Sequence, residues 1–217
     1  MTTMNSIDAL IFDYDGVVAD TEPSYWRAWA EVLAKRGIEF TWDQYCEIGR
    51  GVHDAQMIET LGRHVTDPSL LSGVVEQFAL RVRGMQDKCF NAPPIPKVTI
   101  ELLQSLKSFR LGLVTSSAKS DVEPVLQAAG VFTCFGALVF GDDVEHHKPA
   151  PDPYLLIGSR LGVKTGLVFE DSASGIASAR KAGFLVIPVT EPAELPGIVH
   201  RAIKDYGVSL IRRTTGG

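Results

Sequence analysis

Ile7-Asp8-Ala9-Leu10-Ile11-Phe12-Asp13-Tyr14-Asp15-Gly16-Val17-Val18-Ala19-Asp20-Thr21-Glu22 is the stretch that decides the fold. Ile7 to Phe12 is mostly apolar and does not alternate, which predicts a strand buried on both faces of a parallel sheet. It runs into Asp13, and in open α/β sheets ligands bind outside the carboxyl ends of the strands. Asp13 and Asp15, two apart, can point to one side of an extended chain. Like charges that close repel, so such a pair needs a cation or a shared proton. Gly16 lets the backbone turn sharply or a ligand approach closely. Taken alone, the segment reads equally as a solvated turn rich in Asp and Gly.

Working outward, the same kind of short apolar run recurs at Leu111–Val114, Ala137–Phe140, Leu167–Phe169 and Phe184–Val189. Helical patterns lie between them, over Val98–Lys107, Ser120–Ala129, Pro153–Leu161 and Ser172–Ala182. Gly130, Gly162 and Gly183 stand where a helix ends in a left-handed residue. Strands alternating with helices predict a doubly wound, mostly parallel α/β domain. From about Thr21 to Asp87 the rhythm changes. Trp26, Trp29, Ala30 and Leu33 recur at helical spacing, as do Met57, Ile58 and Leu61, and then Leu71, Val74, Val75, Phe78 and Val82. This is a helical bundle inserted after the first strand, with Ala92-Pro93-Pro94-Ile95-Pro96 as its return linker. The expected division is a core of residues 1–16 and 89–217 and an insert of residues 17–88. Trp26, Trp29 and Trp42 are expected in the insert's core, and the tail from Arg212 is expected to fray.

At 217 residues, the chain holds one large domain or one domain with an insert. With 21 Lys and Arg against 26 Asp and Glu, it has a net charge of −5 and a pI near 5.5. There is no basic stripe for nucleic acid and no apolar run of the roughly 18 residues a membrane span needs. The start lacks the layout of a signal peptide. Cys46, Cys89 and Cys134 are far apart and odd in number, which predicts reduced, mostly buried thiols in a cytoplasmic protein. Setting aside Asp13, Asp15, Glu170 and Asp171 leaves 22 acids against the 21 bases, so most of the charge excess belongs to one candidate cation site.

Three more loops carry polar groups. Thr115-Ser116-Ser117 precedes a helix and reads as an oxyanion site or as an N-cap cluster. Glu170-Asp171-Ser172 favours a hard cation such as Mg²⁺, or caps a helix through Asp171 or Ser172. Lys148, in His146-His147-Lys148-Pro149, suits a phosphate or a carboxylate pair, or is simply a surface lysine. No third ligand is spaced for zinc around His146 and His147. Asp142-Asp143 lies on the same edge without a motif to claim it, and Glu145 reads as solvated. An acid pair, hydroxyls, a lysine and a second acid pair in this order make independent accident a poor explanation.

In these four motifs the sequence resembles the haloacid dehalogenase superfamily of hydrolases, and within it the β-phosphoglucomutase-like phosphatases. The likeness covers essentially the whole chain, and the insert sits where that subgroup carries its cap. The resemblance implies that Asp13 is the nucleophile that forms an aspartyl-phosphate. It implies that Asp15 is the general acid and base. Mg²⁺ would be held by Asp13, the Asp15 backbone carbonyl and Asp171, with Glu170 as a further ligand or as support behind them. Thr115, the Ser116 backbone N–H and Lys148 would hold the phosphoryl oxygens. The dehalogenase and phosphonate-cleaving branches lack an acid at the place of Asp15, which favours phosphate-ester hydrolysis. In the cap, Arg50, Gly51, His53 and Tyr25 are the candidate substrate contacts. Tyr25 stands near the place of the mutase's cap histidine, and Asp54 falls where its cap arginine is expected. An acid there would repel a second phosphate.

The implied activity is therefore hydrolysis of a small phosphorylated metabolite, such as a sugar phosphate, by a monomer or weak homo-oligomer. A phosphomutase is the alternative. A phospho-receiver switch is disfavoured by the insert and by the acid pair at the first strand.

Overall fold

The computed structural model describes residues 7–50, 52–81 and 94–208. Five strands form one parallel sheet: β1 Leu10–Asp13, β2 Leu111–Val114, β3 Ala137–Val139, β4 Leu167–Glu170 and β5 Leu185–Pro188, in the order β3-β2-β1-β4-β5. The first strand begins later than the apolar run suggests. Ile7 makes only an isolated bridge to Val208, whereas Asp13 still pairs, with Val114. The register positions the chemistry. Asp13 lies opposite Val114, and Phe12 opposite Phe169, so Glu170 comes level with Asp13 and Thr115 stands one residue beyond.

The strands are covered on both faces, as non-alternating apolar runs require. Leu10, Phe12, Leu113 and Phe169 face one apolar cluster, and Ile11, Val114, Val139 and Val168 another. Helices α5 (Lys97–Ser105), α6 (Lys119–Ala128) and α9 (Leu195–Tyr206) contribute to the first cluster. Helices α7 (Asp152–Leu161) and α8 (Ala173–Lys181) contribute to the second. Phe12 and Phe169 stack at 5.0 Å in the centre of the sheet. The edge strands β3 and β5 are less fully covered than the central three, and Leu185 of β5 is exposed.

The insertion is helical: α1 Glu22–Ala34, α2 Trp42–Ile48, α3 Asp54–Gly62 and a helix, α4, whose described turns span residues 74–81. It has its own core of Ala28, Trp29, Val32, Leu33, Phe40, Tyr45, Met57, Leu61, Leu71, Val74 and Phe78. Trp29 stacks on Phe78 at 3.8 Å, an arrangement worth about 1 kcal/mol beyond simple burial. Trp26 and Trp42 meet edge to face at its rim. Helix α2 opens with a capping box in which Thr41 and Gln44 satisfy each other's backbone donors. Val17, Val18 and Ala19 pack in the sheet's cluster, and Asp20 N–H donates to Pro94 O where the insertion leaves and returns.

The thiols differ from the sequence expectation, because Cys46 is exposed on α2 and Cys134 is half-buried. Cys89, Val82, Ala92, Pro93, Gly51 and the tail from Arg212 lie outside the described residues. Among the described residues, no helix is long and apolar enough to cross a membrane.

Candidate active site

The carboxyl edge of β1, β2 and β4 brings the motif residues together around a buried lysine. Lys148 is not a surface lysine: its side chain is 2% exposed, and its Nζ donates to Asp13 Oδ1 at 2.5 Å and Glu170 Oε1 at 2.6 Å. Burial opposes its charge, but the two carboxylates outweigh burial and hold the ammonium well above its ordinary pKa. Burial pushes the Asp13 carboxyl up, against the pull of Lys148, and Glu170, Asp171 and Asp15 push it further.

Glu170 is fully engaged. Its Oε1 also accepts from Tyr154 at 3.1 Å, and its Oε2 accepts from Ser172 N and Oγ at 2.9 and 3.0 Å. Ser172 is the N-cap of α8, so one hydroxyl both starts the helix and anchors the carboxylate. Gly175 makes this possible, because a Cβ there would lie 1.6 Å from Glu170 Oε1.

Asp15 faces a different set of partners. Its Oδ1 accepts from Thr21 Oγ1 at 2.5 Å, and its Oδ2 accepts from Thr115 Oγ1 at 3.1 Å and Ser117 Oγ at 2.9 Å. The hydroxyls after β2 therefore do not cap α6, whose N-cap Ala118 makes no side-chain bond. That helix receives Asp142 Oδ2 on its Lys119 N–H instead, while Asp143 pairs with Arg160. Asp142 and Asp143 thus have structural roles on the functional edge. Burial raises the Asp15 carboxyl, and the three hydroxyls offset part of that rise.

Asp171 completes the acidic side. Asp13, Glu170 and Asp171 each offer an oxygen within 4.8 Å of the others. Asp171 Oδ1 is buried without any hydrogen-bond partner, the kind of orphan that calls for a ligand. An all-oxygen set with one unsatisfied carboxylate atom fits a hard cation such as Mg²⁺. Asp171 Oδ2 accepts from Arg50 Nε at 2.7 Å and forms an ion pair with Nη2 at 2.6 Å. Burial and Glu170 raise the Asp171 carboxyl to about 6, with Arg50 pulling the other way. Gly16, at φ +78°, leaves room for this pair, since a Cβ there would lie 2.1 Å from Asp171 Oδ2.

Between this edge and the helical insertion lies a cavity of about 450 Å³. Asp15, Ser116, Ser117 and His147 line its core side; Glu22, Tyr25, Trp29, Tyr45, His53 and Asp54 line the side of the insertion. His53 serves as N-cap of α3 and stacks on His147 at 4.2 Å, joining the two sides. Tyr25 has its phenol held far up by burial and by Asp15. Burial, then Asp121 and Asp15, pushes Asp54 up to about 7. Among the described residues, the lining holds no Lys or Arg. Of the four cap candidates, Tyr25 and His53 face the cavity, Arg50 pairs with Asp171, and Gly51 lies outside the described residues.

Sequence alone assigns no role to Tyr154 or Glu22, and reads Ser117 as part of an oxyanion or N-cap cluster, not as a partner of Asp15. Ser117 sat in plain view beside Thr115. Tyr154 follows the Pro151-Asp152-Pro153 segment and carries no local signal of its contact with Glu170. Glu22 is buried and accepts the Tyr45 hydroxyl at 2.5 Å, a pairing across 23 residues that no spacing reveals.

Comparison with known proteins identifies the family. Residues 7–183 match the model of the haloacid dehalogenase-like hydrolases. The chain is 35% identical to the fructose-1-phosphate phosphatase YqaB of Escherichia coli strain K12, over 83% of this chain and 95% of that protein. It is 33% identical to a phosphorylated carbohydrates phosphatase of Thermotoga maritima, over 82% of each. A crystal structure of CbbY from Rhodobacter sphaeroides in complex with xylulose-(1,5)bisphosphate superposes with a TM-score of 0.68 at 25% identity, covering 84% of this chain and 87% of that one. With its parallel sheet, its helical insertion and its four motif loops on one edge, the chain belongs to the haloacid dehalogenase-like hydrolases and is a phosphatase of that family.

Proposed function

We propose that the protein is a Mg²⁺-dependent phosphatase that hydrolyses the monophosphate ester of a sugar or similar polyol through an aspartyl-phosphate on Asp13. The observation that carries this reading is Lys148 Nζ, locked between Asp13 and Glu170 at the sheet edge, with Asp15 held by three hydroxyls beside the cavity. Asp13 forms a bond to phosphorus as the ester P–O bond breaks, and Asp15 gives its proton to the leaving alkoxide. Asp15 then takes a proton from water, the water oxygen attacks phosphorus, and inorganic phosphate leaves with Asp13 restored. Thr115, the Ser116 N–H and Lys148 steady the phosphoryl oxygens, since phosphoryl transfer depends mainly on positioning and electrostatics. Asp13, the Asp15 carbonyl and Asp171 would hold the Mg²⁺, which when bound supplies charge neutralisation between the acids and the phosphate. Glu170, with both oxygens already engaged, serves to fix Lys148.

The insertion, residues 17–88, acts as the cap that closes the cavity and selects the alcohol. Its acids and hydroxyls suit a ligand whose far end is neutral and rich in hydroxyl groups. With Asp54 and Glu22 in the lining and no Lys or Arg among its described residues, a second phosphate meets no fixed positive charge there, which disfavours the phosphomutase reading. The two phosphatases from Escherichia coli and Thermotoga maritima are named for phosphorylated carbohydrates, in keeping with this assignment.

Release of phosphate from p-nitrophenyl phosphate should require Mg²⁺ and vanish in Asp13→Asn. Undiminished turnover by that variant would overturn the nucleophile. Glucose 1-phosphate with a bisphosphate primer should give free phosphate, and efficient formation of glucose 6-phosphate would reverse the choice between hydrolase and mutase.

A further inference from the structure

Asp171 is shared between two demands. Its Oδ1 is buried and unpartnered, while its Oδ2 is held by Arg50 through both Nε and Nη2. Arg50 follows α2 in the cap and Asp171 follows β4 in the core, 121 residues away. The carboxylate is 1% exposed and the guanidinium 26%. The contact thus ties the cap to an acid of the cluster whose other oxygen is buried and unpartnered. Arg50 is also a full positive charge. Among the described residues, the acids Asp13, Glu170 and Asp171 pair with Lys148 from the core and with Arg50, a second cation delivered by the cap.

We propose that Arg50 is a positioning residue that acts as a cap-borne counter-cation: it clamps the cap onto Asp171 and opposes Mg²⁺ at the same carboxylate, so that metal binding and cap closure are negatively coupled. This rests on the reading of Asp13 and Asp171 as metal ligands. A cation on Oδ1 reduces the negative charge that holds Arg50 on Oδ2, and Arg50 in turn repels that cation. Linkage makes the two effects equal: the factor by which Arg50 weakens Mg²⁺ is the factor by which Mg²⁺ loosens the cap. Gly16 leaves the guanidinium free to reach the carboxylate, since a Cβ there would lie 3.3 Å from Arg50 Nη2.

The test is calorimetric titration of Mg²⁺ into the wild type, Arg50→Gln and Arg50→Lys, with hydrogen exchange followed at residues 45–50. Arg50→Gln removes the charge and should tighten Mg²⁺ by about fivefold or more, the usual lower range for coupled sites. Arg50→Lys keeps the charge and should stay near the wild-type affinity. Mg²⁺ should speed exchange over residues 45–50 in the wild type and leave Arg50→Gln, already loosened, unchanged. Equal or weaker Mg²⁺ binding by Arg50→Gln, or Mg²⁺ slowing exchange there in the wild type, overturns the coupling. Absence of Mg²⁺ binding in all three proteins overturns the metal assignment beneath it, a result distinct from equal binding by all three.

Discussion

Replacing Glu22 by glutamine should remove a large part of the pH dependence of stability. Glu22 opens α1, is 4% exposed and accepts the Tyr45 hydroxyl. Burial, then the negative charge of Asp15, raises its carboxyl from 4.5 to about 8. The folded chain therefore keeps a proton on Glu22 through neutral pH, whereas the unfolded chain releases it near the ordinary value. In that window the folded state binds one proton more, so stability falls as pH rises, by about 1.4 kcal/mol per pH unit. This contribution is fully present below the unfolded pKa and is lost by the time pH passes the folded one. From about pH 5 to about pH 8 the loss integrates to about 3.5 kcal/mol. A glutamine keeps the shape and an oxygen for Tyr45, and has no proton to lose. Asp54 and Asp171, raised to about 7 and about 6, titrate in both proteins and cancel in the difference. Urea unfolding across this range should show Glu22→Gln gaining on the wild type by about 3 kcal/mol. Parallel stability curves would refute the claim that Glu22 is held neutral in the fold.

Lys148→Met strands Asp13 and Glu170 without their buried partner and should cost about 3–5 kcal/mol, read as a fall in Tm, together with nearly all turnover. Gly175→Ala drives a methyl into Glu170 and should destabilise by about 2 kcal/mol or more in urea unfolding, with no compensation at higher Mg²⁺. Assayed at pH 8, above the Asp54 value of about 7, Asp54→Asn takes close to one charge from the cavity and should raise kcat/KM for a sugar bisphosphate relative to its monophosphate by about tenfold, or about 1.4 kcal/mol. An unchanged ratio would remove Asp54 from selectivity.

The layout of the sheet and the four loops was legible in the chain itself, because their signals are local. A parallel strand buried on both faces must be apolar throughout, so Leu10–Phe12, Leu111–Val114 and Leu167–Phe169 announce themselves, and the residues just after each strand must lie on the ligand-binding edge. Asp13, Asp15, Thr115 and Glu170 were found in this way. The identity of the insertion as helices was equally local, carried by the spacing of Trp26, Trp29 and Leu33.

Partnership was not local. The sequence left open whether Lys148 was exposed, whether Thr115 and Ser117 capped a helix or formed an oxyanion site, and which residue Arg50 met; it did not announce that both hydroxyls hold Asp15. It also left unannounced the burial of Glu22 against Tyr45. These are contacts between charges and hydroxyls brought together by the strand register and by the seating of the insertion over the sheet. A residue's type and neighbours determine its element. Its protonation and partner depend on what the rest of the chain removes from water around it, and only the tertiary structure decides that.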